Sequence, residues 1–209
     1  MKKIRLHLIC SGCCADEYVY MHGKHFCDFV QMMLCHAWSV GLLETELWND
    51  IPEIAEAAVF HDVGKYVLPD KIVDKRSVLT ADERVQMQQH TTWGVSFVEL
   101  LVPKLRNIKV ENYAKIICLL HHERANGRGY PYGLCGEEIP SYVQVISLAD
   151  VYDALRTDRS YREAFSPEKA VKMIYEEECG AFDPDIFDAF APLLEQFWQL
   201  AHRMSESAD

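Results

Sequence analysis

Apolar residues recur at three- and four-residue steps along most of this chain, the spacing of one face of an α-helix. From about His25 the stripe runs through Phe26, Phe29, Val30, Met33, Leu34 and Ala37, ending near Gly41. The same periodicity predicts helices over Ile51 to Phe60, Thr80 to Leu101, Val110 to Glu123, Ser141 to Arg156, Ser166 to Glu178 and Pro184 to Met204. Start signals agree with these segments. Thr80 and Glu83 have the spacing of a capping box, and Ser166-Pro167 and Asp183-Pro184 each place a cap before a proline in the first helical turn. Glycine, proline and charge collect in the intervening loops, notably His61 to Ser77 and Arg124 to Pro140. Residues 1–20 differ, because Ile4, Leu6 and Leu8 alternate with Arg5, His7 and Ile9, which predicts a short strand or hairpin arm. No pattern suggests a central sheet, an internal repeat or a dividing linker. The expected fold class is therefore all-α: a single helical bundle over residues 21–209 with a small N-terminal extension over 1–20.

Composition narrows the function. A length of 209 residues with 49% apolar content is enough for one domain with a full core. The formal charge of −11 argues against broad binding to a nucleic-acid polymer or an anionic membrane, since the long-range field repels phosphate. A phosphate ligand would have to be captured locally. The apolar stretch from Ile4 to Cys10 is interrupted by Arg5 and His7, too poor for a signal peptide, and no stretch reaches the roughly 20 apolar residues of a membrane span. A cytoplasmic location is the expectation. The 8 cysteines do not form a metal-binding framework: Cys27, Cys35 and Cys118 fall in apolar periodic segments, and no second pair answers Cys10, Cys13 and Cys14. Reduced thiols follow.

Histidine changes the picture. Of the 9 histidines, His25, His61, His90, His121 and His122 lie on or beside predicted helices at wide intervals. Side chains converging from separate helices are how a bundle builds a metal site, because one helix offers only one face. Asp62 follows His61 directly, and Asp150 sits inside the apolar segment Val143 to Leu155, where an unpaired carboxylate is costly. Imidazole with carboxylate suits iron, manganese or zinc. Taken singly, each histidine is more often a hydrogen-bonded or surface residue than a ligand. That reading is kept for His7 and His202 and preferred for His22 and His36.

The ordered motifs carry a resemblance. The run His61-Asp62-Val63-Gly64-Lys65 resembles the signature of the HD metal-dependent phosphohydrolase superfamily. His121-His122-Glu123, then Gly127 and Gly129-Tyr130-Pro131, resemble the second signature of its HD-GYP branch. Leu79 to Glu83 followed by His90 is similar to that branch's intermediate helix. Asp150-Val151-Tyr152-Asp153-Ala154-Leu155, Arg159, Tyr161-Arg162 and Phe182-Asp183-Pro184 follow in its order. The similarity covers roughly residues 20–200, and a whole ordered series is far more specific than a lone HD pair. The chain departs from the family in having Ser160 where proline is usual, Arg128 where a small residue or lysine is common, and extra residues between Leu42 and His61.

The resemblance implies metal ligation by His61, Asp62, His90, His121, His122 and Asp150, with Asp62 bridging two divalent ions, iron or manganese foremost. It implies an upstream ligand at His25, with His36 in reserve. Met21 stands where some members carry a third-metal glutamate. It implies contacts to substrate from Lys65, Gly129, Tyr130, Pro131, Arg159 and Arg162, with Asp62 and Lys65 as the catalytic pair, and leaves Asp153 as a second carboxylate near the site. The implied reaction is hydrolysis of cyclic di-GMP to pGpG, and onward to GMP, by a metal-activated water. The rivals are a catalytically silent cyclic di-GMP receptor and an HD phosphohydrolase acting on another nucleotide. A homodimer or a separate regulatory protein stays open as partner.

Overall fold

The computed structural model describes residues 17–105, 107–158 and 162–206. The expected strand from Ile4 to Ile9 lies outside them, as do Cys10, Cys13, Cys14, Arg159 and Tyr161. Among the described residues there is no sheet, and the chain folds into α-helices joined by short loops and 3-10 turns. The order is α1 (Glu17–Ser39), α2 (Ile51–Ala58), α3 (Asp70–Val73), α4 (Ala81–Gln88), α5 (His90–Leu105), α6 (Ile108–Leu120), α7 (Ser141–Arg156), α8 (Pro167–Tyr175), α9 (Pro184–Phe190) and α10 (Leu194–Glu206).

The periodic positions do what their spacing demands. Phe29, Val30, Met33 and Leu34 of α1 are fully buried with Ile54 of α2, Ile117 of α6, Ile146 and Tyr152 of α7, and Phe190 and Leu194. Each such aliphatic side chain withdrawn from water is worth about 1.5–3 kcal/mol against chain entropy. Helix α1 is the shared wall, touching α2, α7 and α10, while α6 packs on α2 and α5. Helix α7 runs over Ser141–Arg156, the span its pattern predicts.

Three spans differ from expectation, each for a local reason. Helix α1 starts at Glu17, upstream of His25. Gly23 does not break it; a Cβ there would lie 3.1 Å from the Val59 side chain, so the glycine lets α1 approach the end of α2. The helix expected over Thr80 to Leu101 divides at Gln89, where the Thr91 and Thr92 hydroxyls donate back to the carbonyls of Gln88 and Gln89 at 3.0 Å, a pattern that bends helices. The helix expected over Pro184 to Met204 divides between α9 and α10 at Pro192, which has no N–H to continue the ladder.

Candidate metal centre

Each proposed ligand arrives on a different element. After α2, the chain turns through His61 and Asp62 into a 3-10 turn, Val63–Val67. That turn lies against α5 so closely that a Cβ on Gly64 would sit 1.9 Å from the His90 carbonyl oxygen and 2.6 Å from the Gly94 nitrogen. Only glycine fits. His90 opens α5, His121 and His122 follow the last turn of α6, and Asp150 comes from the middle of α7.

Side-chain atoms of Asp62, His90, His121 and His122 lie within 4.8 Å of one another, a group able to hold a metal ion. The two Asp62 oxygens face different neighbours. Oδ1 is 3.3 Å from His90 Nε2 and 3.8 Å from His121 Nε2. Oδ2 is 3.6 Å from His61 Nε2, which is itself 3.4 Å from Asp150 Oδ1. Lys65 Nζ also donates to Oδ2. His61, Asp62, His90, His121, His122 and Asp150 thus form one connected cluster.

The cluster is arranged to receive a cation. His61 Nδ1 donates to the Ala58 carbonyl at 2.8 Å, His90 Nδ1 to Met87 at 2.7 Å, and His121 Nδ1 to Ile117 at 2.9 Å. With Nδ1 protonated and anchored, each Nε2 is left as a lone pair aimed at the carboxylates, the tautomer that metal-binding histidines adopt. Asp62 Oδ1 is buried and accepts no hydrogen bond among the described residues, a costly state that a cation relieves. The donor set therefore fits a divalent metal of the kind imidazole and carboxylate select.

Electrostatics agree. Burial pushes the His61 imidazole down, but the carboxylates of Asp62 and Asp150 outweigh it and hold it at about 9. Burial together with the neighbouring His61 pushes His121 down to about 3. Burial and His121 carry His122 well below its ordinary range, and burial lowers His90. Burial opposes ionisation of Asp62 and Asp150, yet His61 holds both below the usual carboxylate range, with Lys65 helping at Asp62.

His25 stands outside the group of four. Its buried ring meets His202 at 3.6 Å between centroids and Trp198 at 5.7 Å, and its Nδ1 is 3.7 Å from Asp153 Oδ1. The reserve candidate His36 packs edge-on against Phe190 and Phe197. His202, expected to be an ordinary surface histidine, is instead half-buried on α10.

The Gly-Tyr-Pro loop folds over the cluster. The Tyr130 ring stacks on His122 with centroids 4.6 Å apart, and its N–H donates to the His122 carbonyl at 3.2 Å. Gly129 is forced, since a Cβ would lie 2.4 Å from Glu123 Cα. Two neighbours whose roles sequence reasoning missed hold this loop. Buried Glu123 accepts the N–H groups of Tyr132 at 2.7 Å and Leu134 at 3.0 Å. Arg124 donates to the carbonyls of His121, Glu123 and Cys179 and to Ser147 Oγ, which in turn donates to the His121 carbonyl at 2.6 Å. Arg162, expected at the substrate, places its guanidinium over Phe165 and donates to the Ala154 and Leu155 carbonyls at the end of α7.

A family model described as HD domain matches residues 35–186, most of the chain. The chain belongs to the HD domain family. A cyclic di-GMP phosphodiesterase of Vibrio cholerae is 38% identical to this HD domain over 153 residues, covering 73% of this chain and 31% of that protein. A 3'3'-cGAMP-specific phosphodiesterase of the same organism is 32% identical over 165 residues, covering 79% of this chain and 29% of that protein. The HD domain thus spans about a third of the length of these relatives. An HDG"Y"P protein from Bdellovibrio bacteriovorus has a similar fold, with a TM-score of 0.61 at 18% identity, over 84% of this chain and 53% of that one. Among the described residues no helix is long and apolar enough to cross a membrane.

Proposed function

We propose that this HD domain hydrolyses cyclic di-GMP to linear pGpG, and onward to GMP, with two divalent ions, iron or manganese, as cofactors. The observation that carries the reading is the division of Asp62. One oxygen faces His90 and His121, the other faces His61, which leads to Asp150. A carboxylate so placed suits a bridge, with Asp150 and His61 on one side and His90, His121 and His122 on the other; His25 is proposed to add a further ligand. Two bound ions of this kind lower the pKa of water and polarise phosphoryl oxygens.

The protein's own groups do the rest. Hydrolysis adds water across a phosphorus–oxygen bond, leaving a phosphomonoester and a freed 3' hydroxyl. Lys65 supplies positive charge beside Asp62, where phosphate oxygens would gather, which explains how a domain with a charge of −11 takes an anion. Tyr130, fixed by Gly129 and Pro131 and stacked on His122, is proposed to meet a guanine base. Burial raises its phenol above the ordinary range, so it remains a hydrogen-bond donor at neutral pH. Arg159 is proposed to contact phosphate, and Arg162 to hold the segment that carries it.

The test is hydrolysis by protein purified without oxygen and with its metals counted, offered cyclic di-GMP and 3'3'-cGAMP separately beside a His61→Ala, Asp62→Ala double variant. The expected result is pGpG from the wild type with about two metals bound, and none from the variant. Turnover of 3'3'-cGAMP alone would change the substrate. Binding of cyclic di-GMP without cleavage by the metal-loaded protein would leave a receptor, and neither binding nor cleavage would overturn the assignment.

A further inference from the structure

His61, His90 and His121 are each oriented by a carbonyl no more than four residues away, and each presents Nε2. His25 is held differently. Its Nε2 lies 3.4 Å from the carbonyl of Trp198, across the contact between α1 and α10. A carbonyl only accepts, so the ring nitrogen must donate, and Nδ1 becomes the nitrogen that faces Asp153. The same Trp198 carbonyl accepts His202 Nδ1 at 3.2 Å, which sets the tautomer of the ring lying against His25. The Trp198 indole N–H donates to Asp153 Oδ1 at 3.0 Å. One residue of α10 therefore touches an imidazole on α1, a carboxylate on α7 and a second imidazole on its own helix. His25 and Asp153 are 3% and 6% exposed, so little water competes for these bonds.

We propose that Trp198 and His202 are positioning residues that fix His25 in the Nε2–H tautomer and present its Nδ1 to the metal centre, making metal affinity depend on the docking of α10. The inference rests on the reading above that His25 is a ligand. Its physical content is a division of labour. Ligands locked by their own turn keep their aim as long as that turn survives, whereas His25 keeps its aim only while α10 is seated. Partners that orient a ligand in this way typically change metal affinity by about 10- to 100-fold when removed.

The first measurement is the tautomer of each histidine in the metal-free wild type, read from imidazole nitrogen chemical shifts. His25 should carry its proton on Nε2, while His90 and His121 carry theirs on Nδ1; a His25 proton on Nδ1 overturns the proposal whatever the variants do. The second is Mn2+ titration of the full chain with Trp198→Phe, which removes the indole N–H and keeps the backbone carbonyl, and with His202→Ala. Each should weaken one class of Mn2+ sites about tenfold at unchanged helical content. His25→Ala separates the two levels of the argument. If it binds Mn2+ as the wild type does, His25 is no ligand and the underlying reading fails. If it loses a site while both α10 variants bind normally, only the positioning role fails.

Discussion

Glu123 is the clearest case of a single side chain acting through the groups it holds. Its two carboxylate oxygens accept the N–H groups of Tyr132 and Leu134, so one buried residue next to His122 closes the loop that carries Tyr130. Glu123→Gln keeps the shape but replaces one acceptor oxygen with a donor, leaving a buried N–H without an acceptor. The expected cost is about 1–3 kcal/mol of stability in urea unfolding, with Mn2+ content retained because no proposed ligand moves. Retained stability would mean that the loop is held by other bonds. At this scale the sequence spoke unevenly. The cluster from His61 to Asp150 was legible because its members recur in a known order. Glu123, Arg124 and Ser147 were silent because their partners are backbone groups, which leave no mark on side-chain pattern. Arg162 could be named but not placed, since nothing in the chain announces that its guanidinium is spent on the end of α7.

At the scale of elements, the site depends on how near the HD turn comes to α5. Gly64 and Gly94 face one another there, with Gly94 also within 3.1 Å of the Cys118 sulfur. Gly64→Ala would drive a methyl into the His90 carbonyl, and backbone cannot yield as a side-chain tip can. We expect a loss of at least about 3 kcal/mol, measured by thermal unfolding, together with weakened Mn2+ binding, because the displaced carbonyl belongs to a proposed ligand residue. A stable variant with normal Mn2+ binding would show that the turn can back away. Periodicity predicted the helices well where one face is continuously buried, as in α7. It failed at the divisions on either side of Gln89 and at Pro192, where apolar spacing persists through a change of direction. The proline was visible in the sequence; the threonine back-bonding was not, since threonine is unremarkable in most helices.

The whole molecule is acidic, and its ion pairs tie distant parts of the fold together. Arg156 on α7 grips Glu195 on α10 through two bonds of 3.0 and 3.1 Å, with the Tyr152 hydroxyl donating to the same carboxylate at 2.8 Å. Burial would raise the Glu195 carboxyl, but these donors outweigh it and keep it below the usual glutamate value of 4.5. A group depressed in the folded state contributes stability above its unfolded value and loses it as pH falls through the folded one. The urea midpoint should therefore decline below pH 4.5, and Glu195→Gln should be weaker at pH 7 but decline less steeply on acidification. Parallel curves would place the acid sensitivity elsewhere, with Asp50, held low by Lys109 and Tyr113, the next group to test.

Arg124 has a consequence for where this domain can be rebuilt. Its guanidinium reaches from the His121 carbonyl to the Cys179 carbonyl, Gly180 takes a φ of +96° beside it, and the Ala125 N–H donates to Ala181 at 3.1 Å. The acidic stretch Glu176 to Glu178 looks like an expendable surface connection, yet it leads directly into backbone bonded to the ligand-bearing turn. A reporter peptide spliced in at Gly180 would tug on His121 from outside the domain. One spliced between Ser77 and Val78, where Val78 is 84% exposed, would hang in solvent. The safe port for grafting a tag or a second domain is thus the ascending loop before α4, and the seam after α8 is where an engineered input would be heard at the metals.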